Sequence, residues 1–285
     1  FKLKQSLSFS ELCNATDFLI NNLHTSRKEL LIGKPLPKNY SELGFLSEFP
    51  LLGLYEREVL NPVELTSELN LVLIGIREYK YEINLFLKYK NTYETYLLTG
   101  DYEGAEMQLT KIENEICFSL WSLENRFVLK ELSGKASENK EFLSQFNDIN
   151  KSQGITKHLA HYLSLRAEHS LSINRYFNDL ELSLDNLKET NTKEAFQNYY
   201  RFKLTFLNHL DFNNYGEIIA LDFSHSIIDR YLNLLKVLTN LLAVSSYLDE
   251  TKENKIALKN YLQNRINYLI RKIEDPVLYK LKLLS

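Results

Sequence analysis

Four side chains of the types that bind metals or transfer protons stand close together in the run KHLAHYLSLRAEH. On an α-helix, with about 100° of turn per residue, His158, His161, Glu168 and His169 fall within one sector about 100° wide. The first and last of them are about 16 Å apart along the helix axis, so the four cannot share one ion. His158 and His161 are therefore the candidate pair, as half of a metal site or as an acid and a base, if another helix supplies a further ligand.

The same side chains also suit a simpler role, a polar stripe along which one helix packs against a neighbour. The sequence contains no H-E-x-x-H motif, and Cys13 and Cys117 have no metal-ligand residues beside them. Glycine-rich phosphate loops and the G-x-S-x-G nucleophile motif are also absent. These observations favour packing over chemistry, and they predict a chain with no catalytic residues and no cofactor.

A second group of residues with binding chemistry lies in the segment 252–285, where eight Lys or Arg stand against three Asp or Glu. Tyr261, Arg265, Tyr268 and Lys272 recur at i, i+4, i+7 and i+11, which aligns them along one helix face. Such a stripe can bind an acidic protein or a second copy of the chain, or stack on nucleic-acid bases. Alternatively, the tyrosines border the core while the basic side chains extend over it. These four are the candidate partner-binding residues.

Composition narrows the class of protein. The chain has 285 residues, 44% hydrophobic and 25% charged, so it can bury a sizeable core. Only nine glycines and five prolines occur, with no proline in 63–275, which favours long helices. A net charge of −3 argues against nucleic-acid binding through the overall field of the protein. The most apolar segment, 227–248, contains Asp229, Arg230 and Lys236, so we expect a buried helix there and no membrane span.

The spacing of apolar and helix-capping residues predicts an all-α fold. We expect helices at about 8–24, 66–98, 102–116, 119–134, 137–149, 155–187, 191–211, 216–248 and 250–273, an ordered apolar loop over 25–62, and a short turn after Pro276. Short connections favour an antiparallel helix-turn-helix array of the α-solenoid type, continuing into a bundle of longer helices. The predicted organisation is one elongated domain, 1–285, divisible into 1–64, 65–150 and 155–285.

Residues 100–105, Gly-Asp-Tyr-Glu-Gly-Ala, mark the clearest boundary between two predicted helices. Gly100 can end one helix in a left-handed conformation, Asp101 can cap the next, and Ala105 permits close packing. With aromatic residues on both sides of this turn, the region 86–119 resembles one unit of a tetratricopeptide repeat, with a tryptophan beyond it as a packing anchor. The residues with these structural roles are Tyr96, Gly100, Tyr102, Ala105 and Trp121. The resemblance implies a fold that presents a surface to another protein.

Together these features predict a non-catalytic scaffold or adaptor module. Its partner is expected to be another protein or a second copy of the chain. Two alternatives stay open: a nucleic-acid-binding module that uses the stripe from Tyr261 to Lys272, and a metal-dependent or His-based hydrolase at His158 and His161. The Lys-, Asn- and Leu-rich, alanine-poor composition favours a bacterial source and a place in a larger multi-protein system. Two widely separated cysteines and no secretory signal predict a cytoplasmic location.

Overall fold

α-Helices make up most of the part of the chain that the computed structural model describes. The described residues are 46–53, 65–151, 154–187, 193–205, 214–245 and 252–285. Within them the helices are α1 (Leu65–Glu78), α2 (Lys80–Thr99), α3 (Tyr102–Glu115), α4 (Leu120–Leu132), α5 (Ser137–Ile149), α6 (Ile155–Ala167), α7 (Ile173–Asp185), α8 (Lys193–Leu204), α9 (Asn214–Leu221), α10 (Ile227–Ser245), α11 (Lys252–Ile270) and α12 (Pro276–Leu284). Two short 3-10 turns, Phe49–Leu51 and Asp222–Ser224, and an isolated bridge between Ser47 and Phe118 accompany them. The predicted all-α fold is confirmed. The predicted helix at 8–24 and most of the predicted loop at 25–62 lie outside the described residues.

Helix α10 lies at the centre of the fold. It packs against α1, α2, α4, α9, α11 and α12. Its apolar side chains with no exposed surface are Ile227, Ile228, Tyr231, Val237, Leu238 and Leu241. One contiguous cluster of buried apolar side chains extends from Leu52 to Leu281, and burial of this kind is the main favourable contribution to folding. None of the described helices combines the length and the hydropathy that crossing a membrane requires.

The turn between α2 and α3 has the local structure that its sequence predicts. α2 ends at Gly100, whose φ of 76° is left-handed, and the Asp101 carboxylate accepts a hydrogen bond from Gly104 N at 2.9 Å to cap α3. Ala105 is fully buried. A Cβ atom on Gly104 would lie 2.6 Å from Oδ2 of Asp101 and 2.9 Å from Cδ1 of Tyr96. The glycine inside α3 therefore leaves room for both the capping carboxylate and the tyrosine ring.

Trp121 joins this turn to the rest of the fold. Its indole meets the rings of Phe86 and Tyr93 edge-on, at centroid distances of 4.9 and 5.5 Å. Tyr96 and Tyr102 are partly buried and pack with it around a small cluster of buried side chains. Edge-to-face pairs of this kind add about 0.5–1.5 kcal/mol beyond the area that they bury. Through these two contacts Trp121 packs α4 against α2.

Contacts between helices that are distant in sequence differ from those of a simple repeat array. α1 packs on α9 and α10, and α8 packs on α6. In a solenoid each repeat contacts only its neighbours along the chain. The tetratricopeptide-like arrangement and the single elongated domain therefore stay predictions. In the described residues, later helices of the chain pack against earlier ones.

Three predicted helices are interrupted in the structure. The predicted 66–98 is divided at Tyr79, 155–187 at 168–172, and 216–248 at 222–226. At the second break, the backbone of residue 168 is extended and the Ser172 hydroxyl accepts a hydrogen bond from Arg175 N at 3.3 Å, which begins α7. Apolar residues continue at helical spacing across each break, so their periodicity gives no sign of the interruption.

Candidate functional site

The predicted partner-binding stripe on α11 lies largely in the core. Tyr261 and Arg265 are only 1% and 2% exposed, and the guanidinium carbon of Arg265 lies 4.4 Å from the centre of the Tyr261 ring. Tyr261 Oη donates a hydrogen bond to Asn70 Oδ1 at 3.4 Å. Tyr268 is half-buried, and Lys272 is exposed. The first two residues of the stripe thus form a buried cation–π pair that packs α11 onto the core, and its use as a partner-binding surface stays a prediction.

The two histidines of α6 have different surroundings. The ring of His158 packs between those of Tyr162 and Tyr200, at centroid distances of 4.9 and 4.3 Å, whereas His161 is exposed. Burial, with a smaller effect of His161, lowers the pKa of His158 from 6.5 to about 4, so this ring is neutral at pH 7. His169 lies beyond the end of α6 and does not share its face. Among the described residues, no three His, Cys, Asp or Glu side chains are grouped as metal ligands.

A groove of about 700 Å³ lies between α2 and the start of α12, and we call it the α2–α12 groove. Its lining residues are Tyr81, Asn84, Leu85, Leu87, Lys88, Lys90, Asn91, Glu94, Glu274, Asp275, Pro276 and Val277. Asn84 ties the two walls together, because its Nδ2 donates to Lys272 O at 3.1 Å and its Oδ1 accepts from Glu274 N at 2.8 Å. The buried Asp275 carboxylate accepts from Tyr231 Oη of α10 at 2.7 Å and from a backbone N–H of α12 at 2.8 Å. The groove is thus held to the central helix.

Large apolar side chains are exposed at this groove and on the rest of α12. Tyr81 on α2 (72% exposed) and Val277 on α12 (40%) line the groove, whereas Tyr279 (55%), Leu283 (87%) and Leu284 (67%) are exposed elsewhere on α12. Among the described residues, no other helix exposes as many large apolar side chains as α12. Exposed basic residues lie on α2, at the end of α11 and on α12: Lys88, Arg271, Lys272, Lys280 and Lys282. An apolar patch with a polar border is typical of a protein-binding surface.

A buried polar network joins α6, α8 and the start of α10. Asp222 Oδ1 accepts hydrogen bonds from Tyr199 Oη and from Lys203 Nζ, each at 2.8 Å. His225 lies beside them, with Nδ1 3.0 Å from Tyr199 Oη and Nε2 3.2 Å from Thr156 Oγ1. Burial raises the pKa of Asp222, but Lys203 and His225 outweigh it and lower the pKa to about 2. The carboxylate is therefore ionised at neutral pH and holds the network together.

Lys203 also lines a cavity of about 220 Å³ between α4, α6, α8 and α10. The lining residues are Leu120, Trp121, Glu124, Leu159, Leu163, Arg166, Lys203, Asp229, Leu232, Asn233 and Lys236. We call it the cationic cavity, because Arg166, Lys203 and Lys236 all line it. Neither this cavity nor the polar network was predicted from the sequence. Hydrogen bonds among their residues join partners as far as 69 and 109 residues apart, so no local motif reveals them.

Comparisons with protein-family models, with curated proteins and with solved structures find no match to this chain.

Proposed function

We propose that this chain is a non-catalytic interaction module whose α2–α12 groove binds an acidic, amphipathic helix of another protein. The observation that carries this proposal is a groove of about 700 Å³ with an exposed apolar side chain on each wall, Tyr81 on α2 and Val277 on α12. Burial of one such side chain contributes about 1.5–3 kcal/mol. Together the two therefore offset part of the entropy lost on association.

The shape of the groove favours a helix as the bound segment. Tyr81, Leu85 and Lys88 follow one another at helical spacing along a single face of α2, so this wall is straight. From Tyr81 to Glu94 the wall is about 20 Å long, which matches about three to four turns of a helix. Helices that bind in such grooves insert apolar residues at i, i+3 or i+4, and i+7. The proposed partner segment therefore carries that pattern.

The lining of the groove contains Glu94, Glu274 and the buried Asp275 beside its two lysines, so the charge that favours an acidic partner comes from the exposed basic residues around the groove. Lys88 is exposed on the α2 wall, while Lys90 is paired with Glu94 at 2.5 Å. Lys280 and Lys282 are exposed on α12, a helix that contains no Asp or Glu. Opposite charges at the border of an interface speed association and exclude wrong partners more than they add affinity. Asp or Glu beside the apolar stripe of the partner would complement these lysines.

The two alternative functions have less support. Nucleic-acid binding by the predicted stripe requires Tyr261 and Arg265 to be accessible, and both are buried. A hydrolase at His158 and His161 requires further ligand or catalytic groups, and the described residues place no acidic or thiol cluster there. The geometry of the groove favours protein binding over both.

Affinity purification from the native host followed by mass spectrometry tests the proposal. We compare the wild type with Val277→Glu and Tyr81→Glu, which put negative charge into the groove. The control is Leu182→Glu, at a side chain that is 64% exposed on α7. The proposal expects one protein that is enriched by the wild type and the control but at least about tenfold less by both groove variants. Equal enrichment by all four chains, or recovery of only a second copy of the chain, would overturn it.

A further inference from the structure

We propose that the cationic cavity binds a small organic anion, with a carboxylate or phosphate group on an apolar body. This inference goes beyond the interaction module, since the cavity and the α2–α12 groove have no lining residue in common. It stands on three observations: converging cations held in place, an unsatisfied buried amide oxygen, and apolar walls.

The three cations are positioned by the end of α8. Arg166 Nη1 donates to the carbonyl oxygens of Lys203 and Leu204 at 3.4 and 3.3 Å, and its Nη2 pairs with Glu124. Lys236 donates to the carbonyl oxygen of Phe202 and lies 4.4 Å from the centre of that ring. Cations commonly cap the last carbonyls of a helix in this way. Here the capping bonds fix two cations at the wall of a cavity.

These bonds do not use all the donors of the three side chains. An ammonium has three N–H groups and a guanidinium has five. Lys203 Nζ makes a 2.8 Å bond to Asp222, and Lys236 Nζ reaches two carbonyl oxygens, one of them Thr205 O at 3.4 Å. Arg166 uses three of its donors in the contacts given above. The remaining N–H groups are suited to the oxygens of a carboxylate or phosphate.

Asn233 supplies the second observation. It lines the cavity and is 5% exposed, and its Oδ1 has no hydrogen-bond partner among the described residues. A buried polar atom without a partner is costly unless a bound group or water satisfies it. A hydroxyl or amine on the bound molecule, close to its anionic group, would donate to this oxygen.

The remaining walls are apolar and limit the size of the bound molecule. Leu120, Trp121, Leu159, Leu163 and Leu232 line the cavity, so the anion is expected to carry a hydrophobic body. A volume of 220 Å³ is below the 300–1,000 Å³ typical of sites for drug-sized ligands. Glu124 and Arg166 are partly exposed, with 34% and 23% of their side-chain surface accessible, and they mark the side on which the cavity meets solvent.

The electrostatics agree with an anion. Burial, assisted by the neighbouring charges of Lys203 and Arg166, lowers the pKa of Lys236 from 10.5 to about 8. Glu124 partly opposes this effect. Asp229 also lines the cavity, but its two oxygens accept hydrogen bonds from Leu120 N and Trp121 N. An added anion would stabilise the charged form of Lys236.

The single tryptophan of the chain makes the cavity measurable, because Trp121 lines it. We test the wild type by quenching of tryptophan fluorescence with iodide, caesium and neutral acrylamide at constant ionic strength. We then add benzoate as the probe anion, with benzamide as its neutral analogue of the same shape. The proposal expects the ratio of iodide to caesium quenching to be several-fold higher for the protein than for N-acetyltryptophanamide in the same solutions, and benzoate but not benzamide to protect the tryptophan from iodide. A ratio equal to that of the free derivative, or equal effects of benzoate and benzamide, would overturn it.

Variants test the residues that we assign. Lys236→Met and the isosteric Asn233→Asp should each weaken the protection by benzoate by about tenfold or more. Lys88→Met, on the remote groove wall, is the control and should leave it unchanged. Acrylamide quenching, which does not depend on charge, verifies that each variant keeps Trp121 in the same environment. Protection that survives both cavity variants in folded protein would refute the assignment. Because the wild-type comparison needs no variant, a failure of either one to fold leaves the proposal testable.

Discussion

Replacing Asp229 by Asn tests how the central helix positions α4. Asp229 is 3% exposed on the first turn of α10. Its Oδ2 accepts from Leu120 N at 2.9 Å and its Oδ1 accepts from Trp121 N at 3.0 Å. Ser119 and Ser122 exchange side-chain bonds with each other's backbone N–H groups. The first N–H groups of α4, which have no partner within the helix, are thus all satisfied.

The expected loss of stability follows from the hydrogen-bonding groups of an Asn side chain. Its amide has one acceptor oxygen, so its nitrogen would face one of the two N–H groups and leave that group unsatisfied. A buried unsatisfied donor costs about 1–3 kcal/mol, and loss of a negative charge at a partly buried helix N-terminus costs up to about 2 kcal/mol. We therefore expect Asp229→Asn to lower the free energy of unfolding by about 2–4 kcal/mol.

Urea unfolding at pH 7, followed by circular dichroism at 222 nm, measures this change. Asp101→Asn is the matched control, because Asp101 caps α3 through one bond to Gly104 N and is exposed. Asn caps helices about as well as Asp, so the control should change the free energy by less than about 0.5 kcal/mol. Equal effects of the two substitutions would refute the reasoning that the long-range cap by Asp229 stabilises the fold.

Three further predictions concern single residues. Gly104→Ala should not raise the free energy of unfolding by the roughly 1 kcal/mol expected for Gly→Ala within a helix, because the new Cβ displaces the Asp101 carboxylate that caps α3. In urea unfolding, part of that increase should reappear when Asp101 is also replaced by Ala. Its absence in the double variant would contradict this explanation. The pKa of Lys236 is about 8 in the folded chain, against 10.5 ordinarily. Between these two pH values the unfolded chain binds more protons, so the free energy of unfolding of the wild type should rise with pH relative to that of Lys236→Met. Parallel pH profiles of the two unfolding free energies would contradict this. The buried His158 has a pKa of about 4, so between pH 6.5 and 4 the unfolded chain again binds more protons. The wild type should therefore lose stability relative to His158→Gln as pH falls through this range. A histidine NMR resonance that titrates near 6.5 and is missing only from His158→Gln would refute the burial of this ring.

The features that the sequence predicted are those that neighbouring residues determine. The boundary between α2 and α3 depends on Gly100 and Asp101, and the predicted helix start at Ser119 depends on its hydroxyl, which accepts a hydrogen bond from Ser122 N. Capping residues act over one turn of helix, so their positions can be recognised along the chain. The break at 168–172 was missed because apolar residues continue through it at helical spacing.

The candidate sites depended on tertiary contacts and were predicted less well. Helical spacing correctly placed Tyr261 and Arg265 on one face of α11, but spacing does not tell which other helix covers that face. Arg265 lies buried over the Tyr261 ring instead of extending to solvent. The basic C-terminal segment still contributes to the proposed site, through Lys272 and Lys280 at the end of α11 and on α12.

Photo-crosslinking in the native host tests the central claim, the binding of an acidic helix in the α2–α12 groove, most directly. A photo-reactive phenylalanine analogue is placed at Val277, in the groove, and at Leu182 on α7 as the control. The account predicts an adduct with one protein from position 277 and none with that protein from position 182. Mass spectrometry should locate the crosslink in an amphipathic segment of the partner that is rich in Asp and Glu. The absence of a protein adduct at 277, or the same adducts at both positions, would contradict the account.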